Sequence, residues 1–342
     1  MELLAAAGCK IDATGRCGTT ALEYSINSDS PEVCRWLIQQ GCDIHSTNEF
    51  GSDSLKKAVE YGSVECAKLL IDAGGDPFQI GEHGFGLMHG IESVEMFELL
   101  AAKGLNTSQA GKELRMELLG LASGALPVSE QDYLKNRERK YGVSNPEQMN
   151  NAFWDGQVQT RLNAYHANQK FGRSAFDFES PTWCCDRYGQ SFTRLPDGRF
   201  VEIGGEHEDS YDPDFCIYND VIVHDGAGGF KIYGYPESVF PPTDFHSATL
   251  VGDTIVIIGR LGYVDDRQLG STPVYVLNCT DWSIEKLETK GRSPGWLFKQ
   301  TAHLLDERRI QIRGGKKETK EAAHDNKEVW TLDLQDRSWT LE

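Results

Sequence analysis

Apolar and polar residues follow two different repeat lengths along this chain. In the first hundred residues the step is 33, so that Leu4, Leu37 and Leu70 share one phase. Glycines recur with the same step, at Gly8, Gly41 and Gly74. Apolar residues spaced three and four apart predict helices that bury one face. Each glycine supplies the left-handed residue that often ends a helix. The pattern therefore predicts a stack of short helix pairs.

Beyond residue 190 the step becomes 55, and the local pattern changes from helical to extended. Phe200, Ile255 and Ile310 are in phase, and glycines follow at Gly204, Gly259 and Gly314. Each unit begins with a strand, a tight turn and a second apolar strand, as in SFTRLPDGRFVEIGG and HSATLVGDTIVIIGR. Two further apolar runs follow. We therefore expect four antiparallel strands per unit, and an α + β chain built from two repeat domains.

The helical units are similar to ankyrin repeats. The segments GTTALEYS at 18–25 and GSDSLKKA at 51–58 open a first helix, and SPEVCRWLIQQG and SVECAKLLIDAG form a second. The proline and histidine of the family's Thr-Pro-Leu-His pattern are missing, although phase and glycines agree. The resemblance implies an N-terminal α-solenoid over 1–124, with its first repeat half present, that binds through fingers and inner helix faces. The candidate binding residues are Glu49, Phe50, Lys57, Tyr61, His83 and Phe85.

The extended units resemble kelch repeats, each of which forms one blade of a β-propeller. The likeness rests on four strands, a glycine pair after the second, and a late tryptophan at Trp282 and Trp339. The second unit departs from it with Gly259-Arg260 in place of the pair. The resemblance implies three all-β kelch-type blades over 187–342, whereas closed propellers use about four to eight. An incomplete propeller, a fourth unit supplied by the preceding segment, and a fragment all remain open.

Residues 125–186 follow neither period and are predicted to form a helical connector. SEQDYLKNRERKYG is typical of a charged helix. Ser144 and Glu147 have the spacing of a capping box, which predicts a helix running to about Lys170. The many aromatic residues of this segment argue against a flexible linker. We expect a bracket that docks one array on the other.

Charge, apolar runs and cysteine content indicate which kinds of partner and compartment suit the chain. The 342 residues carry a net charge of −18, and the range 177–244 alone holds 14 acids and 4 bases. Such acidity disfavours nucleic acid and suits a basic protein partner, although it also serves solubility alone. No apolar run is long enough for a membrane span. Nine cysteines without a spaced CxxC pair favour a reducing cytoplasm.

Side chains that could bind a ligand or act as an acid or base lie in the loops of the extended units. The loop after the first glycine pair offers carboxylates and an imidazole, at Glu206, His207, Asp209, Tyr211, Asp212 and Asp214. Alternating oxygen ligands suit calcium, but the glycine and terminal glutamate of a calcium loop are missing, so we predict no metal. His207, Asp244 and His246 would form an acid–base site if their loops converge, although His246 also suits a structural hydrogen bond at a strand start. Asp265 and Arg267 are typical of an exposed turn, and both are candidate binding residues.

No catalytic motif and no cofactor loop is present in the sequence. We therefore expect a non-enzymatic module that binds proteins through ankyrin fingers and kelch loops, with no cofactor. One sharper version is an acidic immunity or antitoxin protein that neutralises a basic toxin. The alternative is an enzyme with its active site in the propeller loops around His207 and His246. A structural scaffold is a third hypothesis. The combination of repeats also resembles bacterial ankyrin-repeat proteins.

Overall fold

A computed structural model describes residues 8, 10–15, 18–47, 51–79, 86–122, 124, 126–173, 180–207 and 215–342. The chain forms two compact units, Met1–Arg115 and Met116–Glu342. In the part of the chain that the structure describes, the helices lack the length and apolarity needed to cross a membrane.

The first unit is built from short helices in pairs. Helices α1 (Ala21–Asn27) and α2 (Pro31–Gln39) form one pair, and α3 (Ser54–Glu60) and α4 (Val64–Asp72) form the next. Helix α5 (Val94–Ala102) and a 3-10 turn at Thr107–Gln109 follow, and α6 (Lys112–Leu118) crosses the boundary between the two units in sequence.

Local signals in the sequence account for the ends of these helices. Thr20 and Glu23 form a reciprocal capping box at the start of α1, and the Asp53 carboxylate accepts a hydrogen bond from the backbone N–H of Lys56 in α3. Beyond α2 and α4, Gly41 and Gly74 have φ of 82° and 101°, which confirms the predicted left-handed stops.

The core of the first unit follows the 33-residue period. Leu37, Leu70 and Met88 are buried, as predicted. Cys34 and Cys66 are also buried, as free thiols that fill space between helices.

The described residues of the second unit form three larger antiparallel sheets, one of five strands and two of four. The connector contributes a short strand, β1 (Glu147–Gln148). Sheet 1 has the order β1-β7-β6-β3-β2, formed by β2 (Ser191–Arg194), β3 (Phe200–Ile203), β6 (Val221–His224) and β7 (Phe230–Gly234). A small hairpin, β4 (Glu206–His207) with β5 (Cys216–Ile217), stands between β3 and β6.

The other two sheets repeat this order. Sheet 2 is β11-β10-β9-β8, formed by β8 (Ser247–Val251), β9 (Thr254–Ile258), β10 (Val274–Asn278) and β11 (Ile284–Lys286). Sheet 3 is β13-β14-β17-β18, formed by β13 (Thr301–Asp306), β14 (Arg309–Arg313), β17 (Trp330–Asp333) and β18 (Ser338–Leu341). Strand β12 (Leu297–Phe298), which precedes β13, forms a small sheet with β15 (Lys316–Lys317) and β16 (His324–Asp325), which lie between β14 and β17 in sequence.

This arrangement confirms four antiparallel strands per 55-residue unit. The three sheets that the described residues form do not close into a propeller. Apolar clusters fill the spaces between sheets, with Val201, Ile255 and Trp282 joining sheets 1 and 2, and Ile258 and Ile312 joining sheets 2 and 3. Each sheet is therefore stabilised by its neighbour.

The connector packs on the other face of sheet 1. It includes α7 (Glu130–Asn136), α8 (Ala152–Thr160) and α9 (Ala164–Lys170). Trp154 and Trp183 stack with ring centroids 4.8 Å apart, and both lie in one buried cluster with Ile222 and Ile232 of the sheet. Within the second unit, the connector is thus a structural part of the β region.

The predicted helix from Ser144 to Lys170 is wrong. Ser144 donates its hydroxyl hydrogen bond to the carbonyl of Pro146, and Glu147 accepts one from the backbone of Val143 instead of capping a helix. Asn145 precedes Pro146, and the ring of a proline disfavours helical backbone at the residue before it. Glu147 and Gln148 instead form strand β1, which pairs with β7. The helix begins only after Asn151, which caps it, and ends at Arg161, whose φ is 48°.

Two close approaches fasten the connector to sheets 1 and 2. The backbone N–H of Gly142 donates to the carbonyl of Tyr235, and a Cβ at Gly142 would collide with the backbone of Gly234, so only glycine fits there. The Asn145 side chain donates to the carbonyl of Ile284 at 2.8 Å and accepts from its N–H at 2.9 Å. The Asn145 amide thus forms with edge strand β11 the two hydrogen bonds that a residue of a paired strand would form.

Candidate functional site

The strand order brings the long loops of the second unit to one end of its sheets. In an antiparallel meander, the loop after the second strand and the connection after the fourth leave at the same end. We call this end the loop face; it comprises the described parts of 204–220, 235–246, 259–273, 287–300 and 314–329. The short hairpin turns lie at the opposite end.

Polar contacts join the loops of the loop face to one another. Arg267 forms an ion pair of 2.8 Å with Glu318, which links the loops of sheets 2 and 3. The Tyr263 hydroxyl accepts a 2.9 Å hydrogen bond from the backbone of Ile217, which links the loops of sheets 1 and 2. These contacts hold the loops together as one surface.

His207, Asp244 and His246 all lie at the loop face and are buried. A hydrogen bond joins His207 Nδ1 to the Tyr218 hydroxyl, and another joins His246 Nε2 to Ser191 Oγ at 2.8 Å. Asp244 Oδ1 accepts from the backbone of Gly262 at 2.7 Å. None of these three described side chains hydrogen-bonds another, so they form no His–Asp pair, and His246 makes its hydrogen bond directly before β8.

Burial sets the protonation of these groups. It lowers the pKa of His207 to about 3, assisted by the positive charges of Arg187 and Arg139. Burial alone lowers the pKa of His246 to about 3, and it raises the pKa of Asp244. Both imidazoles are therefore neutral at pH 7.

The predicted acidic binding residues divide into two groups. Asp265 is exposed beside Asp266 on the 3-10 turn Val264–Asp266, and Glu206 is half-buried. The remaining candidates of this loop, Asp209, Tyr211, Asp212 and Asp214, lie outside the described residues. Among the residues that are described, no group of three His, Cys, Asp or Glu side chains is placed to hold a metal ion.

A second exposed site lies on the first helices of the repeats in the first unit. Tyr24 on α1 and Tyr61 at the end of α3 are 57% and 55% exposed, and α1 packs beside α3. The Lys57 ammonium lies 5.6 Å from the Tyr61 ring centroid and 2.7 Å from the Glu60 carboxylate. Tyr24 was not among the predicted residues, although it precedes Lys57 by one 33-residue step. We call Tyr24, Lys57 and Tyr61 the tyrosine patch. The other ankyrin candidates, Glu49, Phe50, His83 and Phe85, lie outside the described residues.

Sequence reasoning also missed a buried charge cluster where the connector meets sheet 1. Arg161 at the end of α8 donates two hydrogen bonds to Glu202 of β3, at 3.0 and 2.7 Å, and His224 Nε2 lies 3.0 Å from the same carboxylate. Burial by itself raises the pKa of Glu202, but the charge of Arg161 and the hydrogen bonds from both partners hold it well below its ordinary value. No spacing in the sequence signals this cluster.

Comparison with known proteins agrees with the repeat pattern of the first unit. Residues 1–81 match the family model described as ankyrin repeats, three copies. A search of curated proteins found no match to this chain. The N-terminal part therefore carries ankyrin repeats, which mark it as a protein–protein interaction module, and an all-β region of antiparallel sheets follows. The kelch resemblance stays a prediction.

Proposed function

We propose that this chain is a non-enzymatic adaptor with two binding surfaces, the tyrosine patch in the ankyrin unit and the loop face in the second unit. The observation that carries the proposal is the pair of exposed tyrosines on adjacent helices. Tyrosine supplies a large amphipathic contact with little loss of conformational entropy, and it is enriched among residues that dominate binding energy. The Tyr61 ring beside Lys57 and the Tyr24 ring on the neighbouring helix α1 together offer a docking point for a protein segment.

The loops of sheets 1 and 2 on the loop face suit a basic partner. Asp265, Asp266 and Glu237 are exposed there, whereas the loop of sheet 3 also exposes Lys316, Lys320 and Lys327. The whole chain has a net charge of −18. Carboxylates on one surface attract an oppositely charged protein from a distance and raise its association rate. The sharper form of this proposal is an immunity or antitoxin protein that neutralises a basic toxin.

The separate hydrogen bonds of His207, Asp244 and His246 support the absence of catalysis. A general base needs a partner within hydrogen-bond reach and a pKa near the working pH, and burial moves both imidazoles away from that range. The free, unpaired thiols of the described cysteines support a reducing cytoplasm.

The double variant Tyr24→Ala, Tyr61→Ala should lose the partner of the ankyrin unit. Truncating two interface tyrosines removes anchors that are each worth about 2 kcal/mol or more when they are hot spots. We would compare proteins captured from the native host by the wild type and by the variant, with thermal unfolding as a check of the fold. Tyr165→Ala, which truncates a 41% exposed tyrosine of the second unit, is the matched control. If the wild type, the double variant and Tyr165→Ala capture the same proteins in equal amounts, the tyrosine patch is not a binding surface.

The double variant Asp265→Asn, Asp266→Asn should bind the loop-face partner more slowly, and its association rate should depend less on salt. Long-range attraction between charges is what salt screens. Surface plasmon resonance with the captured protein, at low and high salt, measures both effects. Glu307→Gln with Asp336→Asn removes the same charge from the opposite end of the sheets and should leave the rate close to that of the wild type. Equal slowing by both double variants would assign the effect to net charge and not to the loop face.

A further inference from the structure

Arg139 of the connector differs from the buried and the paired arginines of the second unit. Buried Arg161 and Arg187 each pair with a carboxylate, as does the less exposed Arg267 of the loop face. Arg137 and Arg260 pair with none in the described chain, but both are buried away from solvent. Arg139 is half-buried and reaches solvent, yet it pairs with no carboxylate of the part of the chain that the structure describes. A permanent charge therefore lies at the surface of an acidic protein without a counterion among the residues that the structure describes.

Its guanidinium is already fixed in position. Nη1 donates to the carbonyl of Ile217 at 2.6 Å and to the Tyr263 hydroxyl at 3.3 Å. The guanidinium carbon lies 4.6 Å from the centroid of the Tyr141 ring. One nitrogen and one face of the group are thus used by contacts within the protein, which fix the plane of the guanidinium.

The remaining edge, Nε and Nη2, makes no hydrogen bond with the described residues. These two nitrogens form the planar fork that binds the two oxygens of a carboxylate in parallel. Because other contacts already orient the fork, a ligand would order little additional structure on binding. Half-burial also strengthens the attraction between opposite charges, since less water screens them.

We propose that Arg139 is a carboxylate-binding site, with Nε and Nη2 as the donors and the ring of Tyr141 as one wall. The proposal goes beyond the adaptor function, because the carboxylate can belong to a small molecule or to a protein. A carboxylate fits better than a phosphate for an electrostatic reason. Glu237 accepts a 3.0 Å hydrogen bond from the Tyr141 hydroxyl, and its negative charge would repel a dianion more than a monoanion.

Titration of the wild-type protein with acetate tests the site directly. The Arg139 Nε–H resonance should move and saturate, at an ionic strength kept constant with sodium chloride. The Arg267 Nε–H resonance is the matched control and should not move, because Glu318 already occupies that guanidinium. An Arg139 resonance that stays still, or that moves equally with chloride alone, would overturn the proposal.

A second arm separates the two anions, and a variant identifies the site. Inorganic phosphate at equal ionic strength should give no saturating shift, and binding of phosphate in preference to acetate would refute the carboxylate assignment. Arg139→Lys keeps the charge but removes the fork, so isothermal titration with acetate should lose its saturable heat. Retained binding in that variant would exclude Arg139. The titration of the wild type decides the question even if the variant is less stable.

Discussion

Replacing Arg161 by methionine should lower the free energy of unfolding of the second unit by about 3–5 kcal/mol. The substitution leaves the Glu202 carboxylate buried without its bidentate partner, although His224 still lies beside it. Chemical denaturation followed by tryptophan fluorescence measures the loss, because Trp154 and Trp183 lie in the adjacent cluster. Arg199→Met is the control; its partner Asp197 is exposed, and such a pair is worth about 0–1 kcal/mol.

The stability that Arg161→Met removes should become smaller as the pH falls. The pKa of Glu202 is lowered in the folded protein, so its contribution to stability is present above the ordinary glutamate pKa of about 4.3 and disappears as the pH falls through the lowered value. The double variant Arg161→Met, Glu202→Leu should recover much of the stability, because no charge is then left without a partner. A single-variant loss no larger than that of Arg199→Met would show that the ion pair does not stabilise the unit.

A chain of residues 187–342, without the connector, should fail to fold. Its first sheet would expose the apolar face that Phe153, Trp154 and Trp183 cover, and a sheet repeat cannot bury that face alone. Residues 116–342, which form the whole second unit, should give a single cooperative thermal transition and a near-ultraviolet dichroism signal. The shorter chain should show neither.

Trp154→Ala in the chain of residues 116–342 removes only part of the contact between the connector and sheet 1. It should lower the free energy of unfolding by about 3–5 kcal/mol. A cooperative transition of residues 187–342 at the same temperature as that of residues 116–342 would mean that the connector is dispensable.

The repeat periods account for what could be predicted from the sequence. Helix pairs and four-stranded sheets are made by local patterns, so the phases of Leu37, Leu70 and Ile310 identified buried positions in both units. The loop face follows from strand order alone. Its predicted residues do lie there where they are described, but their pairing could not be predicted, because His207 and His246 bond to Tyr218 and Ser191 from other segments.

The helix start in the connector was predicted wrongly because the structure of this segment depends on distant residues. Glu147 and Gln148 become a strand only because β7 lies beside them. Arg161 resembles a solvent-facing residue at a helix end, and its true environment is created by Glu202, 41 positions away. Nor does a sequence pattern distinguish an arginine such as Arg139, which has no carboxylate partner among the described residues, from one on an ordinary surface.

The side-chain pairing of Asn145 with Ile284 bears on pairing between the sheet edges of two chains. An exposed sheet edge offers unpaired N–H and C=O groups to which another chain can add a strand, a route to aggregation. Here the donor and acceptor of Ile284 on the edge of sheet 2 are taken by one amide, and the next two residues of that edge, Glu285 and Lys286, are charged. Protection of this edge against intermolecular β-pairing thus depends on Asn145, a residue that belongs to no strand and that a sequence comparison would treat as an interchangeable polar position in a loop.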